Sequence, residues 1–257
     1  MSAAVASARP LTGKVALVTG ATRGLGRAIA QGLAEAGACV AVSSRKAEAC
    51  EAVAREIADT TGSRTLALPL HVGQWEGIDP AVDAVEQELG PLGVVVNNAG
   101  IAPLSPSLLE QSEALFDKTL EVNLKGPFRL MAVAGARMAA HGSGSIINIS
   151  SIGAVRPSAA EATYSAAKAG LNALTQAFAQ EYAPVVRVNC VMPGAFATDM
   201  AESWDEEFVG KVVDGLPAGR LGRPEELVGL VVHLASDASS YTTGALIPVD
   251  GGRLAVY

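Results

Sequence analysis

Tyr164 and Lys168 stand four residues apart in the alanine-rich stretch TYSAAKAG that begins at Thr163. At that spacing both side chains leave the same face of a helix. An ammonium beside a phenol favours the phenolate and lowers a pKa that is about 10 when unperturbed. The pair could therefore give or take a proton near neutral pH, provided the rest of the chain builds a site around it.

The elements that must do this follow a regular rhythm. From Lys14 onward, short β-branched runs alternate with longer Ala/Leu/Glu-rich segments, which predicts βαβ units and a parallel sheet covered on both faces. Strands are expected at Val15–Thr19, Cys39–Ser43, Thr65–Leu70, Val94–Asn97, Ser145–Ser150, Val185–Val191 and Ala245–Val249. No linker or repeat interrupts the rhythm, so residues 11–257 are expected to form a single domain behind a flexible N-terminus at 1–10. The rhythm breaks once, at about 198–217, where two short helices replace a helix and strand. An insertion beyond the carboxyl ends of the strands is expected to act as a lid.

Composition narrows the class of partner. The chain has 257 residues, 49% hydrophobic and 18% charged, with a formal charge of −7, which excludes disorder and removes electrostatic support for binding nucleic acid or anionic membrane. No apolar run reaches the ~18 to 20 residues of a membrane span. Cys39, Cys50 and Cys190 have no metal-like spacing, so neither a metal site nor a disulfide framework is expected, and the thiols fit a cytoplasmic setting. A small-molecule partner is the default expectation.

Directly after the first strand comes TGATRGLGRAIAQGLAEAGA, with Gly20, Gly24 and Gly26 opening an amphipathic helix. Glycines there permit a tight turn and let the backbone approach a pyrophosphate, whose charge is stabilised by free N–H groups at the helix start. The spacing is Gly-x3-Gly-x-Gly. Taken with NNAG at Asn97–Gly100 and YSAAK at Tyr164–Lys168, it resembles the short-chain dehydrogenase/reductase family from about Leu11 to Gly252. That resemblance implies an α/β fold with a Rossmann-like, doubly wound, seven-stranded sheet that binds a nicotinamide cofactor. It also implies cofactor contacts at Gly20, Arg23, Gly24, Leu25, Gly26, Asn98, Ala99 and Gly100.

Cofactor choice depends on the end of the second strand, where an acidic residue would accept from a ribose 2′-hydroxyl and repel a 2′-phosphate. The strand ends in Ser43, Ser44, Arg45, with Ser44 at the position where related NAD-preferring chains carry Asp. Arg45 and Arg23 offer two guanidiniums, so NADP(H) is favoured and NAD(H) remains possible. His71 and Val72 follow the third strand, where related chains usually carry Asp-Val beside the adenine; His71 is a departure from the pattern and is kept as a cofactor contact.

By the same resemblance, Ser151, thirteen residues before Tyr164, binds the substrate carbonyl, and Asn123 in EVNLKGPF anchors a proton relay to Lys168. Asn123, Ser151, Tyr164 and Lys168 thus form the expected catalytic set, with Tyr164 and Lys168 also touching cofactor. Pro193, Gly194, Phe196 and Thr198 are implied contacts of the nicotinamide. The reaction implied is hydride transfer between cofactor and a carbonyl or secondary alcohol, with Tyr164 as acid/base.

The substrate is less defined. The expected lid carries Asp199, Glu202, Asp205, Glu206, Glu207 and Asp214 against Lys211, and Glu161 precedes the tyrosine, a field unfavourable to polyanions. A 3-oxoacyl carrier-protein or CoA thioester is one alternative, but the segments before the fifth and sixth strands, AAHGSGS and EYAPVV, hold no Lys or Arg. Trp204 and Phe208 could line an apolar pocket. The last helix and strand, with Leu227, Leu230, Val231 and Leu234, resemble subunit-packing elements of homotetramers; Leu171, Leu174 and Phe178 are expected on the helix face away from the cofactor, in core or subunit contacts. A catalytically silent NADP-binding sensor or scaffold is the alternative of another class.

Overall fold

The computed structural model describes residues 9–198 and 205–256. Most of the expected flexible N-terminus, and Asp199, Glu202 and Trp204 of the expected lid, lie outside the described residues.

Seven parallel strands form one sheet in the order β3-β2-β1-β4-β5-β6-β7. They are β1 (Val15–Thr19), β2 (Cys39–Ser44), β3 (Thr65–Pro69), β4 (Leu92–Asn97), β5 (Gly144–Ile149), β6 (Val186–Pro193) and β7 (Leu246–Val249). Each lies within two residues of its expected bounds. The strand order reverses between β1 and β4, and at such a switch point the carboxyl ends of the strands open a crevice for a ligand.

Period-two alternation sends successive strand residues to opposite faces. Ala16, Val18, Val40 and Val42 join one buried cluster, whereas Val15, Leu17 and Ala41 join the other. The first cluster is closed by α1 (Gly24–Glu35), α2 (Ala47–Thr61) and α8 (Glu225–Ala235); the second by α3 (Ile78–Leu89), α5 (Gly126–His141) and α6 (Ala162–Tyr182). Fully buried side chains such as Leu17, Ile29, Leu33 and Met131 are each worth roughly 1.5–3 kcal/mol of burial. α1 and α8 approach so closely that a Cβ on Gly32 would stand 2.1 Å from Val228 Cγ1.

Two expectations about apolar stripes are sharpened. Leu227, Val231 and Leu234 of α8 are fully buried in the first cluster, with Leu230 packed against it, so this stripe belongs to the core of the chain. Leu171 and Phe178 of α6 are also core, with Leu174 packed against them. Leu171 follows Lys168 by one helical turn and is buried with it, rather than on an opposite face.

The region expected as a lid holds one helix among the described residues, α7 (Glu206–Asp214), with none of its side chains fully buried. Asp205 caps it, its carboxylate accepting from Phe208 N at 2.7 Å.

Candidate active site

The crevice at the switch point is built from the ends of β1, β4, β5 and β6. At the end of β1, Gly20 and Gly24 take φ of +64° and +51°, a left-handed backbone that a side chain would strain. A Cβ on Gly26 would stand 2.2 Å from Gly20 O and 2.3 Å from Asn98 Nδ2, so the start of α1 can lie against the turn only with glycine there. Arg23, the N-cap of α1, makes no side-chain capping bond, and the first turn holds no acidic residue. Backbone N–H groups and the positive end of the helix dipole are thereby left for an anion, and the turn fits a pyrophosphate.

NNAG at the end of β4 locks this turn. Asn98 Nδ2 donates to Thr19 O at 2.9 Å and Gly20 O at 3.1 Å, while Thr19 Oγ1 accepts from the backbone N–H of Asn98 and Ala99. Ala21 N donates to Ser43 O, tying the glycine turn to the end of β2. Half-buried Ser44 and exposed Arg45 follow there, and Arg23 is exposed on the turn itself. Half-buried Leu25 packs against the first core cluster.

The proposed reacting groups come from three other places. Ser151, at the end of β5, accepts from Gly153 N at 3.0 Å, which fixes its oxygen and leaves its proton free to donate. Lys168 is buried at 4% exposure, and its ammonium donates to Ile149 O at 2.8 Å while lying 5.7 Å from the centre of the Tyr164 ring. Ser150 is structural: its hydroxyl donates to Lys168 O.

Asn123 sits at 0% exposure in a π-helical turn, Glu121–Lys125, between α4 (Glu113–Leu120) and α5. Its side chain accepts from Ile101 N and donates to Ile101 O and Thr119 O. A Cβ on Gly100 would stand 2.8 Å from Asn123 Oδ1 and 3.6 Å from Lys168 Nζ, so this glycine lets asparagine and lysine close on the same point.

The electrostatics differ from the sequence expectation. Burial pushes the Tyr164 phenol up to about 12, against the lowering effect of the Ser151 hydroxyl and reinforced by the Glu161 carboxylate. Burial pulls Lys168 down to about 8. Lysine does not hold the phenol below its ordinary value here. The ammonium is spent on the Ile149 carbonyl, and desolvation of both groups is the largest effect.

Other expected contacts are redistributed. His71 Nδ1 accepts from Gly73 N at 3.1 Å and its Nε2 faces Lys118 Nζ at 2.9 Å, so both ring nitrogens are engaged within the protein rather than turned free toward an adenine. Val72 is buried against the start of α5, where a Cβ on Gly126 would meet Val72 O at 2.5 Å. Pro193 ends β6, and Gly194 N donates to Val249 O. The Phe196 ring is buried in the first core cluster against Gly222. Thr198 reaches the glycine turn, its Cβ 3.5 Å from where one on Gly24 would stand.

Several supporting groups were not singled out from sequence. Asn97 Nδ2 donates to Asn148 Oδ1, whose Nδ2 donates to Thr175 Oγ1, a buried chain linking β4, β5 and α6 beneath the site. The available signal was an asparagine inside each of two apolar strands, NN in VVVNN and N in SIINIS. A cavity of about 210 Å³ is lined by Ile152, the residue after Ser151, with Ala195, Lys211, Val212, Leu216 and Arg253.

This arrangement can bind a dinucleotide at the glycine turn and present a hydroxyl, a phenol and an ammonium to a polar substrate atom. Residues 20–253 match a family model described as enoyl-(acyl carrier protein) reductase. The chain is 39% identical to the 3-oxoacyl-[acyl-carrier-protein] reductase of Aquifex aeolicus over 243 residues, covering 94% of this chain and 98% of the relative. Among solved structures it is similar to one assigned as a short-chain alcohol dehydrogenase from Sinorhizobium meliloti, at TM-score 0.93 and 38% identity over 97% of this chain and 100% of that one. It is also similar to one assigned as an NAD(P)-dependent gluconate 5-dehydrogenase from Beutenbergia cavernae with bound NADP, at TM-score 0.92 and 38% identity over 97% of this chain and 100% of that one. With the glycine turn, NNAG and YSAAK brought to one crevice, and these relatives matching nearly end to end, the chain belongs to the short-chain dehydrogenase/reductase family.

Proposed function

We propose that this protein is an NADP(H)-dependent oxidoreductase that interconverts a carbonyl and a secondary alcohol, with Tyr164 as the acid/base. The observation that carries the reading is the convergence of Ser151, Tyr164 and Lys168 beside a glycine turn built for a pyrophosphate. When bound, the dihydronicotinamide supplies a hydride to the carbonyl carbon. Ser151 donates to the carbonyl oxygen as its charge grows, and Tyr164 delivers the proton that completes the alcohol. Lys168 holds the ribose of the cofactor, and Asn123 holds the end of the path that returns a proton. A phenol pushed up to about 12 carries its proton at neutral pH, the form that reduction needs and alcohol oxidation does not.

For the cofactor, NADP(H) is supported by Ser44 in place of an acidic residue, by Arg45 and Arg23 at the same corner, and by the NADP described in the Beutenbergia relative. Asn98, Ala99, Gly100, Pro193, Gly194 and Thr198 line its path; the contributions of His71 and Phe196 come through the turns they pack. The α7 region is proposed as the lid. A 3-oxoacyl thioester remains a second reading because the Aquifex relative bears that name over 98% of its length. The homotetramer and the cytoplasmic location are proposed by family resemblance, since the stripe on α8 is core.

The test is NADPH consumption over ketones, keto acids, sugars and acyl thioesters, run in both directions. Turnover of a carbonyl with NADPH preferred over NADH is expected. Tight NADPH binding with no turnover across the panel would instead support the silent sensor.

A further inference from the structure

The cavity lined by Ile152, the residue after Ser151, has an apolar wall, Ile152, Ala195, Val212 and Leu216, and two cationic side chains, Lys211 and Arg253. Their surroundings differ. Lys211 is already paired with Glu207 at 2.7 Å on α7, an exposed ion pair. Arg253 has no carboxylate partner among the described residues. The nearest acid in sequence, Asp250, has both oxygens occupied by the backbone N–H groups of Gly252 and Leu254. One Arg253 nitrogen, Nη1, donates to Gly215 O at 3.2 Å at the end of α7, leaving most of the five guanidinium donors unused.

The turn that presents this guanidinium is itself held in place. Arg253 N donates to Asp250 O, and Arg156 Nη1 donates to Arg253 O and Val256 O at 3.0 and 2.8 Å. Gly215 lies close under the guanidinium, where a Cβ would stand 3.1 Å from Arg253 Nη1. A half-buried arginine fixed by its backbone and short of an acid is a ready acceptor site for a planar anion, which it binds through two parallel N–H bonds.

Resting on the proposed carbonyl reductase reading, we infer that Arg253 recognises a carboxylate on the substrate, so that the preferred substrates are short oxo acids whose ketone lies at Ser151 and Tyr164. Charge selects the anion. One cation without a carboxylate partner among the described residues, with Glu207 paired to the neighbouring Lys211, matches a monoanion and disfavours a phosphate dianion. The apolar wall accommodates the methylenes between ketone and carboxylate. This revises the sequence expectation that the region is simply acidic: the acids of α7 are present, but the cavity itself is lined by Lys211 and Arg253.

The test compares 4-oxopentanoate and 5-oxohexanoate with their methyl esters, on wild type and on Arg253→Gln and Arg253→Lys. NADPH turnover is measured together with ligand-observed NMR titration of each compound onto the NADPH-loaded protein. Wild type is expected to prefer acid over ester at least ~10-fold in kcat/KM or in affinity, the scale of a charge-assisted bond. Arg253→Gln should remove that preference through KM and leave the esters unchanged, with Arg253→Lys intermediate. Equal handling of acid and ester by wild type in both readouts overturns the inference. So does a loss in Arg253→Gln that falls equally on acid and ester, which is what a purely structural role at the end of α7 would give. The Tyr164→Phe protein should retain the acid preference in the titration, which separates failure at this site from failure of the catalytic reading.

Discussion

Replacing Lys168 by Met should remove catalysis and, at neutral pH, relieve a cost built into the fold. The ammonium is 4% exposed and its pKa falls from 10.5 to about 8. Below about pH 8 the side chain is charged in folded and unfolded chains alike, so the desolvation cost is present in full. Between about 8 and 10.5 the unfolded chain binds more protons than the folded one, and stability therefore rises with pH. At 1.36 kcal/mol for each factor of ten, the cost is about 3 kcal/mol at pH 7 and about 1.4 kcal/mol at pH 9.5. Against it stands the bond to Ile149 O, whose loss leaves a buried carbonyl unpaired at about 1–3 kcal/mol, independent of pH. The absolute difference between Lys168→Met and wild type is thus small at pH 7. Its pH dependence is the sharper quantity: wild type should gain about 2 kcal/mol on the variant between pH 7 and 9.5. Tyr164 and Cys190, whose pKa values are pushed up to about 12 and about 11, act with the opposite sign above their ordinary values; the variant's Cys190 also loses the lowering effect of Lys168, but at pH 9.5 the thiol stays protonated in both folded proteins. Urea unfolding at fixed protomer concentration measures the difference. Parallel stabilities across that range would refute a desolvated ammonium at this position.

Two further outcomes follow from the same geometry. Arg45→Asp should reduce the NADPH-over-NADH preference in kcat/KM by roughly 10- to 100-fold, the loss of a charged bond worth about 1.5–3 kcal/mol to a 2′-phosphate; unchanged preference would remove Arg45 from the cofactor site. The pH profiles of the two directions should diverge. Carbonyl reduction should decline above about pH 8 as Lys168 loses its proton, whereas alcohol oxidation should climb into the alkaline range as Tyr164, held near 12, begins to ionise. Coincident profiles would contradict these assignments.

The strand rhythm was legible because the central strands β1, β2, β4, β5 and β6 are short, buried, β-branched runs, and a parallel sheet needs little else. The pair at Tyr164 and Lys168 was legible through helical spacing, and Ser151 and Asn123 through family resemblance. What spacing could not convey was desolvation. That Lys168 is drawn to the Ile149 carbonyl, and that the phenol rises rather than falls, depends on how completely α6 is covered. His71 and Phe196 illustrate the same limit: a residue in the right place along the chain turned its polar atoms or its ring to a neighbour, Lys118 in one case and Gly222 in the other. The π turn around Asn123 and the chain from Asn97 to Thr175 were signalled only by polar residues in apolar runs. Arg253 gave no signal, because its importance comes from a fold that brings the C-terminal turn beneath α7.

The central claim is that Tyr164 carries the proton. Tyr164→Phe removes one oxygen and leaves the glycine turn, Ser151 and Lys168 in place. With the best carbonyl substrate from the screen, NADPH oxidation by the variant should fall by at least ~100-fold, the low end of general acid catalysis, while NADPH affinity from fluorescence titration stays within about twofold. Turnover near the wild-type rate with unchanged NADPH binding would contradict the account.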